Sequence, residues 1–158
     1  MFDVIAFDAD DTLWHNEHNF IKIQKNFCDM LPSHEPELVQ RNLSKKHIRN
    51  IKLFGYGIKG FILSMLETFL EIRDGDVKGK EIRQILEFGR EMLAAPIDLL
   101  PNVFDVIMDL SKEYKLMLIT KGDLIDQEKK ISLSGLLDFF KEIEIVSDKT
   151  EEAYKKIL

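Results

Sequence analysis

Of 158 residues only one is cysteine, one tryptophan and four proline. Cys28 alone can form no internal disulfide and cannot build a Cys-rich zinc site, a usage that points to a reducing, cytoplasmic compartment. Positive charge is short as well: 22 Lys+Arg against 28 Asp+Glu leave a net −6. No general affinity for nucleic-acid phosphates or anionic lipid is expected from that balance. Long apolar runs are missing too, since the greasiest stretch, Phe61 to Leu70, is broken by Ser64, Glu67 and Thr68. That stretch is too short and too polar to span a bilayer, and no charged-then-apolar leader opens the chain, so no membrane association is expected. What is present, 45% AVILMFWYC and 32% charged residues, predicts a globular protein of one domain, or one domain carrying an insertion.

The periodicities change along the chain. Val4 to Phe7 is an apolar, β-favouring run that stops at Asp8-Ala9-Asp10-Asp11-Thr12, the pattern of a strand buried on both faces and ending in a polar loop. Helical spacing follows over Asn19–Leu31, Glu35–Lys52, Phe61–Ile72 and Lys80–Ala95, with Pro32 and Pro96 as stops. After Pro101 a helix at Val103–Glu113 leads into a second buried-strand run, Lys115–Thr120, which ends in Lys121-Gly122-Asp123. A helix at Leu124–Leu133, a third strand at Glu142–Val146 and a last helix at Lys149–Leu158 complete the pattern. Strands alternating with helices predict an α/β fold with a parallel sheet, and right-handed crossovers bring every strand's carboxyl end to one edge. The expected organisation is an α/β core, residues 1–13 and 98–158, interrupted by an all-helical insert at 14–97. The insert holds 13 Lys+Arg, 11 Asp+Glu and all four histidines, whereas the core holds 9 and 17. A mildly basic insert on an acidic core suits an anionic substrate held at a metal site, although ordinary helix-surface chemistry gives the same counts.

Chemistry concentrates at the strand ends. Asp8, at the end of strand 1, can attack phosphorus and help hold a divalent cation, while Asp10 can pass a proton to a leaving oxygen and take one from water. Taken alone the run is equally an acidic turn or a helix cap. Thr120 offers a hydroxyl and Gly122 a close backbone approach, both suited to cradling phosphoryl oxygens. Lys149 can offset the negative charge of Asp8, Asp10 and a phosphate. Singly, Thr120 also reads as a strand cap and Lys149 as a solvated helix-start lysine.

Together, Phe7-Asp8-Ala9-Asp10-Asp11-Thr12-Leu13, Leu118-Ile119-Thr120-Lys121-Gly122-Asp123 and Asp148-Lys149 resemble motifs I, II and III of the haloacid dehalogenase-like (HAD) hydrolase superfamily. The resemblance covers essentially the whole chain and implies a Rossmann-like parallel core with a helical cap inserted after strand 1. It makes Asp8 a nucleophile forming an aspartyl-phosphate, Asp10 the general acid/base, and Thr120 and Lys149 phosphoryl-binding groups. Mg²⁺ would sit between the Asp8 carboxylate and the Asp10 backbone carbonyl. Thr12, Trp14, Lys121 and Gly122 are assigned to substrate binding, Trp14 because it lies where the chain leaves the core and can line the pocket mouth. In the family's dehalogenases the second Asp of motif I is replaced, so Asp10 points to phosphate esters, with a small phosphorylated metabolite as substrate.

Family members continue past motif III into a further strand carrying a motif IV acidic pair, and this sequence stops at Leu158. The expectations are therefore a C-terminally truncated core, weak Mg²⁺ binding and an unpaired edge of strand 1 that invites self-association. Two other readings stay open: a catalytically impaired or non-catalytic phosphate-binding chain, and a phosphotransferase or phosphomutase. Gly55-Tyr56-Gly57-Ile58-Lys59-Gly60 satisfies G-x-G-x-x-G, yet helical patterns flank it where a dinucleotide fingerprint needs a strand, so a turn between helices is expected. His15-x-x-His18 is too sparse for zinc, and Cys28, on an apolar helix face, reads as buried and inert.

Overall fold

The computed structural model describes residues 3–157; the expected assignments to residues 1, 2 and 158 lie outside that range. The chain divides into two compact units, one running through Glu17 and resuming at Pro96, the other His18–Ala95.

The first unit is built on strands β1 (Val4–Phe7), β2 (Lys115–Lys121) and β3 (Phe140–Val146), parallel and in the order β1-β2-β3. β2 is the centre of this sheet. Its run Leu116, Met117, Leu118, Ile119 and Thr120 is buried, the continuous apolar texture of a strand covered on both faces. The apolar run of β1 predicts the same two-sided burial, yet Val4 is 46% exposed and Ala6 is exposed; β1 pairs with β2 alone among the described residues and so lies at the sheet edge, with the unpaired side expected for strand 1. β3 starts at Phe140, two residues before the expected Glu142, since Phe140 is a buried core residue pairing with Leu116 ahead of a register shift in β2.

Helices α5 (Val103–Leu110), α6 (Leu124–Leu133) and α7 (Glu151–Ile157) belong to this unit. Ile107 of α5 and Ile131 of α6 join Ala9, Leu13, Trp14, Leu116, Leu118 and Leu136 in its core. α6 begins where sequence placed it because Asp123 caps it, its carboxylate accepting the Asp126 N–H at 3.2 Å. α5 stops at Leu110, before the expected Glu113, and residues 111–113 form a turn into β2.

The second unit holds α2 (Pro36–Phe54), α3 (Ile58–Ile72), α4 (Gly79–Ala94) and, but for its first residue, α1 (Glu17–Asp29). Proline at the first position of α2 loses no helix hydrogen bond there, and Gly55 ends the helix with φ 76°. The G-x-G-x-x-G segment is a turn running into α3, flanked by helices, with Gly57 at φ 115° and Gly60 already inside α3. Phe27, Val39, Met65, Phe69 and Ile85 are fully buried and form the centre of this unit's core, with Cys28 buried beside them. Burial pushes the Cys28 thiol above its ordinary range. No helix among the described residues is long and apolar enough to cross a membrane.

Candidate active site

Because the three strands are parallel, Asp8, Thr120–Gly122 and Ser147–Lys149 lie at or just past strand carboxyl ends and line one edge of the sheet. After β1 the chain reverses tightly. Ala9 is fully buried, and its carbonyl accepts the N–H groups of Thr12 and Leu13. Asp11 takes a left-handed conformation, φ 57°, tolerable for aspartate. Its carboxylate then accepts the N–H groups of Asn16 (2.9 Å) and Glu17 (3.0 Å), fastening the start of α1.

Two polar groupings result. In the first, Lys149 Nζ lies 2.6 Å from Asp8 Oδ1; the Asp8 side chain is 47% exposed and the Lys149 side chain 20%. In the second, the Asp10 carboxylate accepts hydrogen bonds from Trp14 Nε1 (2.8 Å), Gln127 Nε2 (3.0 Å) and Lys130 Nζ (3.2 Å to each oxygen). Gln127 reaches further, since its Oε1 accepts the Thr120 hydroxyl at 3.3 Å. Lys130 also donates to Asn16 Oδ1 at 3.0 Å and pairs with Asp126 Oδ2 at 3.3 Å. Asp126 is buried, and that burial raises its carboxyl above the usual aspartate range; Lys130 pulls it down, while Asp10 and Asp123 add to the rise.

The structure therefore brings Asp8 and Lys149 into direct contact and links Asp10 to Thr120 through Gln127. Thr120 itself is 1% exposed, so its hydroxyl is turned into the unit and engaged by Gln127 instead of being presented at the surface. Trp14 requires a correction: expected at the pocket mouth, it is 1% exposed, packed in the core with its indole N–H spent on Asp10. A large ring with one donor satisfies both needs only where apolar packing and an acceptor meet. Thr12 is exposed and lines a cleft of about 190 Å³ with Phe7, Leu13, Pro101, Val103 and Val106. Lys121 Nζ stands 3.8 Å from Asp148 Oδ1. Gly122 has a backbone reason to be glycine: its φ is +150°, and a Cβ there would lie 2.9 Å from Gln127 Nε2.

Gln127, Lys130 and Asp126 were not singled out by sequence. They lie on the helix Leu124–Leu133, whose polar residues look alike in sequence whether they face inward or outward. As for a cation, no group of three or more His, Cys, Asp or Glu residues able to hold one is found among the described residues. The residues that would hold it are Asp8, through its half-exposed carboxylate, and Asp10, through its backbone carbonyl, while the Asp10 side chain hydrogen-bonds Trp14, Gln127 and Lys130. Such a set fits Mg²⁺, which binds through one or two protein oxygens and keeps water or substrate phosphate for the rest.

A family model of haloacid dehalogenase-like hydrolases matches residues 2–157. The chain is similar to a haloacid dehalogenase-like family hydrolase from Xanthomonas campestris, 38% identical with a TM-score of 0.92, over 99% of this chain and 66% of that one. It is 32% identical over 85 residues to YfnB of Bacillus subtilis, named as a HAD-hydrolase, a match spanning 54% of this chain and 33% of YfnB. The magnesium-bound structure of YfnB aligns at 16% identity with a TM-score of 0.63, over 99% of this chain and 71% of that one. L-2-haloacid dehalogenase from Xanthobacter autotrophicus shares the fold at 13% identity and a TM-score of 0.58, over 92% of this chain and 57% of that one. The chain thus spans just under two thirds of the Xanthomonas protein's length.

Proposed function

The chain belongs to the haloacid dehalogenase-like hydrolases, and from that premise we propose that it is a Mg²⁺-dependent phosphomonoesterase acting on a small organic phosphate. The observation that carries this reading is the pair of carboxylates at 8 and 10 on the strand edge, the first open to solvent with a lysine ammonium 2.6 Å away. Asp8 attacks phosphorus, forming an Asp8 O–P bond as the ester P–O bond breaks, and Asp10 supplies the proton to the departing oxygen. A water then attacks the aspartyl-phosphate while Asp10 takes its proton, releasing inorganic phosphate and restoring Asp8. Lys149 offsets the charge that accumulates on the phosphoryl oxygens. Mg²⁺, held by the Asp8 carboxylate and the Asp10 carbonyl, would supply further neutralisation of that charge.

The Xanthobacter likeness speaks to fold alone, and the chemistry separates the two activities. A halide departs as a stable anion, whereas an alkoxide needs a proton, which a carboxyl at position 10 would give. The single buried cysteine favours a cytoplasmic setting for the activity. The test measures phosphate release from p-nitrophenyl phosphate and alkyl phosphates with and without Mg²⁺. Asp8→Asn is expected to lower kcat by about 10⁴-fold or more. Halide release from 2-haloacids in place of phosphate release, or full activity in Asp8→Asn, overturns the reading.

A further inference from the structure

Helix α6 turns three polar side chains inward, Asp126 at 5% exposure, Gln127 at 2% and Lys130 at 12% of its side chain. The hydrolytic scheme above uses none of them. Burying an amide and an ammonium is unfavourable unless they are hydrogen-bonded, and both are here. The three ammonium donors of Lys130 meet Asp10, Asn16 and Asp126, and Gln127 spans from Asp10 to Thr120. Gln127 and Lys130 sit three residues apart on the helix, so both project from one face. Their common target is Asp10, more than a hundred residues away in sequence. The Trp14 indole N–H donates to the same carboxylate. Gly122 leaves the space that Gln127 fills.

From this convergence we propose that Gln127 and Lys130 are positioning residues for Asp10: together they fix the direction of its carboxylate for proton exchange with the leaving oxygen. The inference rests on the proposed role of Asp10 and adds the residues that make that role effective. Losing the clamp lets the carboxylate swing, and misplacement of a proton donor by about an ångström costs on the order of 10²-fold in rate. The loss falls selectively. An alkyl ester needs its leaving oxygen protonated, whereas p-nitrophenolate leaves well without a proton.

The experiment uses the full chain with Gln127→Leu, Lys130→Met, Lys130→Arg and the benchmark Asp10→Asn. The quantity compared is kcat/KM for an alkyl phosphate against kcat/KM for p-nitrophenyl phosphate, which reports the step that expels the leaving group. Gln127→Leu and Lys130→Met are expected to lower the alkyl ester's value by about 10²-fold and the aryl ester's by less than about tenfold, as Asp10→Asn does. Lys130→Arg, which keeps a cationic donor, is expected to restore the wild-type ratio. A second readout needs neither metal nor turnover: the indole ¹H–¹⁵N resonance of Trp14, the only tryptophan, reports the Asp10 contact directly. It is expected to move in Gln127→Leu and Lys130→Met. Gln127→Leu removes the amide contacts without removing a charge and stays informative where Lys130→Met fails to fold. Equal losses on both esters, or an indole resonance unmoved in both variants, overturn the positioning role while an Asp10→Asn defect leaves the hydrolytic reading standing. A wild-type chain that cleaves neither ester overturns that reading, and the positioning role with it.

Discussion

Removing the ammonium of Lys130 tests the energetics of the same cluster apart from any chemistry. Lys130→Met keeps most of the side-chain volume and deletes the cation that Asp10 and Asp126 share. The Lys130 side chain is 12% exposed, that of Asp126 6% and that of Asp10 23%. Breaking a buried pair by removing one partner costs about 3–5 kcal/mol, because the other charge stays behind uncompensated. Asp10 keeps the Trp14 and Gln127 donors, so the lower end, about 3 kcal/mol at neutral pH, is expected. An internal control is at hand in Lys112→Met, whose pair with Asp109 is 63% and 69% exposed and is expected to contribute under about 1 kcal/mol.

The pH dependence gives the experiment its sign. Burial already raises the Asp126 carboxyl and Lys130 opposes the rise, so the variant's Asp126 lies higher still. A carboxyl raised by folding contributes stability below its unfolded value and loses it as pH climbs through the folded value. The deficit of Lys130→Met is therefore expected to widen between about pH 4 and pH 7 and to close in acid. Urea unfolding followed by Trp14 emission measures it, since Trp14 is buried in the sheet unit. A loss below about 1 kcal/mol at neutral pH, or a deficit that grows on acidification, refutes the reasoning.

Two further outcomes follow from the helical unit. A Cβ at Gly89 would meet Ile62 Cγ1 at 2.9 Å, so Gly89→Ala is expected to destabilise by about 1–3 kcal/mol in thermal unfolding. Ile62→Val in the same chain is expected to recover part of that loss; no recovery argues against the steric cause. His47 stands 3.5 Å from the Ser64 hydroxyl with its ring edge-on to Phe61, and burial holds it below the ordinary histidine value of 6.5. A depressed histidine contributes stability above pH 6.5 that is lost as pH falls, so acid is expected to lower the melting temperature less in His47→Gln than in wild type. Circular dichroism melts at about pH 7 and pH 5 check this, and equal shifts in both chains count against it.

The sequence was most legible where one local pattern has one structural meaning. Val4–Phe7 and Leu124–Leu133 have the expected bounds because an apolar run ending in polar residues, and a capped stretch between Asp123 and Gly135, admit few alternatives. Asp8 and Lys149 follow different strands, and the parallel topology inferred from the alternation of elements suffices to place them on one edge. Periodicity could not reveal whether β1 is central or peripheral, since an apolar run looks alike in both positions until its neighbours are known. Trp14 is hidden for a related reason: a position where the chain leaves the core does not say which way the ring turns, and its single donor turns back onto Asp10. Gln127 and Lys130 were illegible because their partner Asp10 lies more than a hundred residues upstream, and an inward polar residue in a helix resembles an outward one.

Within the sheet unit, the segments through which the chain leaves and returns pair with each other. Leu100 N–H bonds Leu13 carbonyl at 3.0 Å, Trp14 and Leu99 form an antiparallel bridge, and His15 N–H bonds Asp98 carbonyl at 2.9 Å. Departing and returning chain are thus clasped side by side, so the loop carrying His18–Ala95 is closed at its base whatever that loop contains. Closure entropy grows only slowly with loop length, which makes the helical segment an exchangeable cassette: a short Gly/Ser splice, or a different insert altogether, can occupy the same two ends without disturbing the strands of the sheet unit.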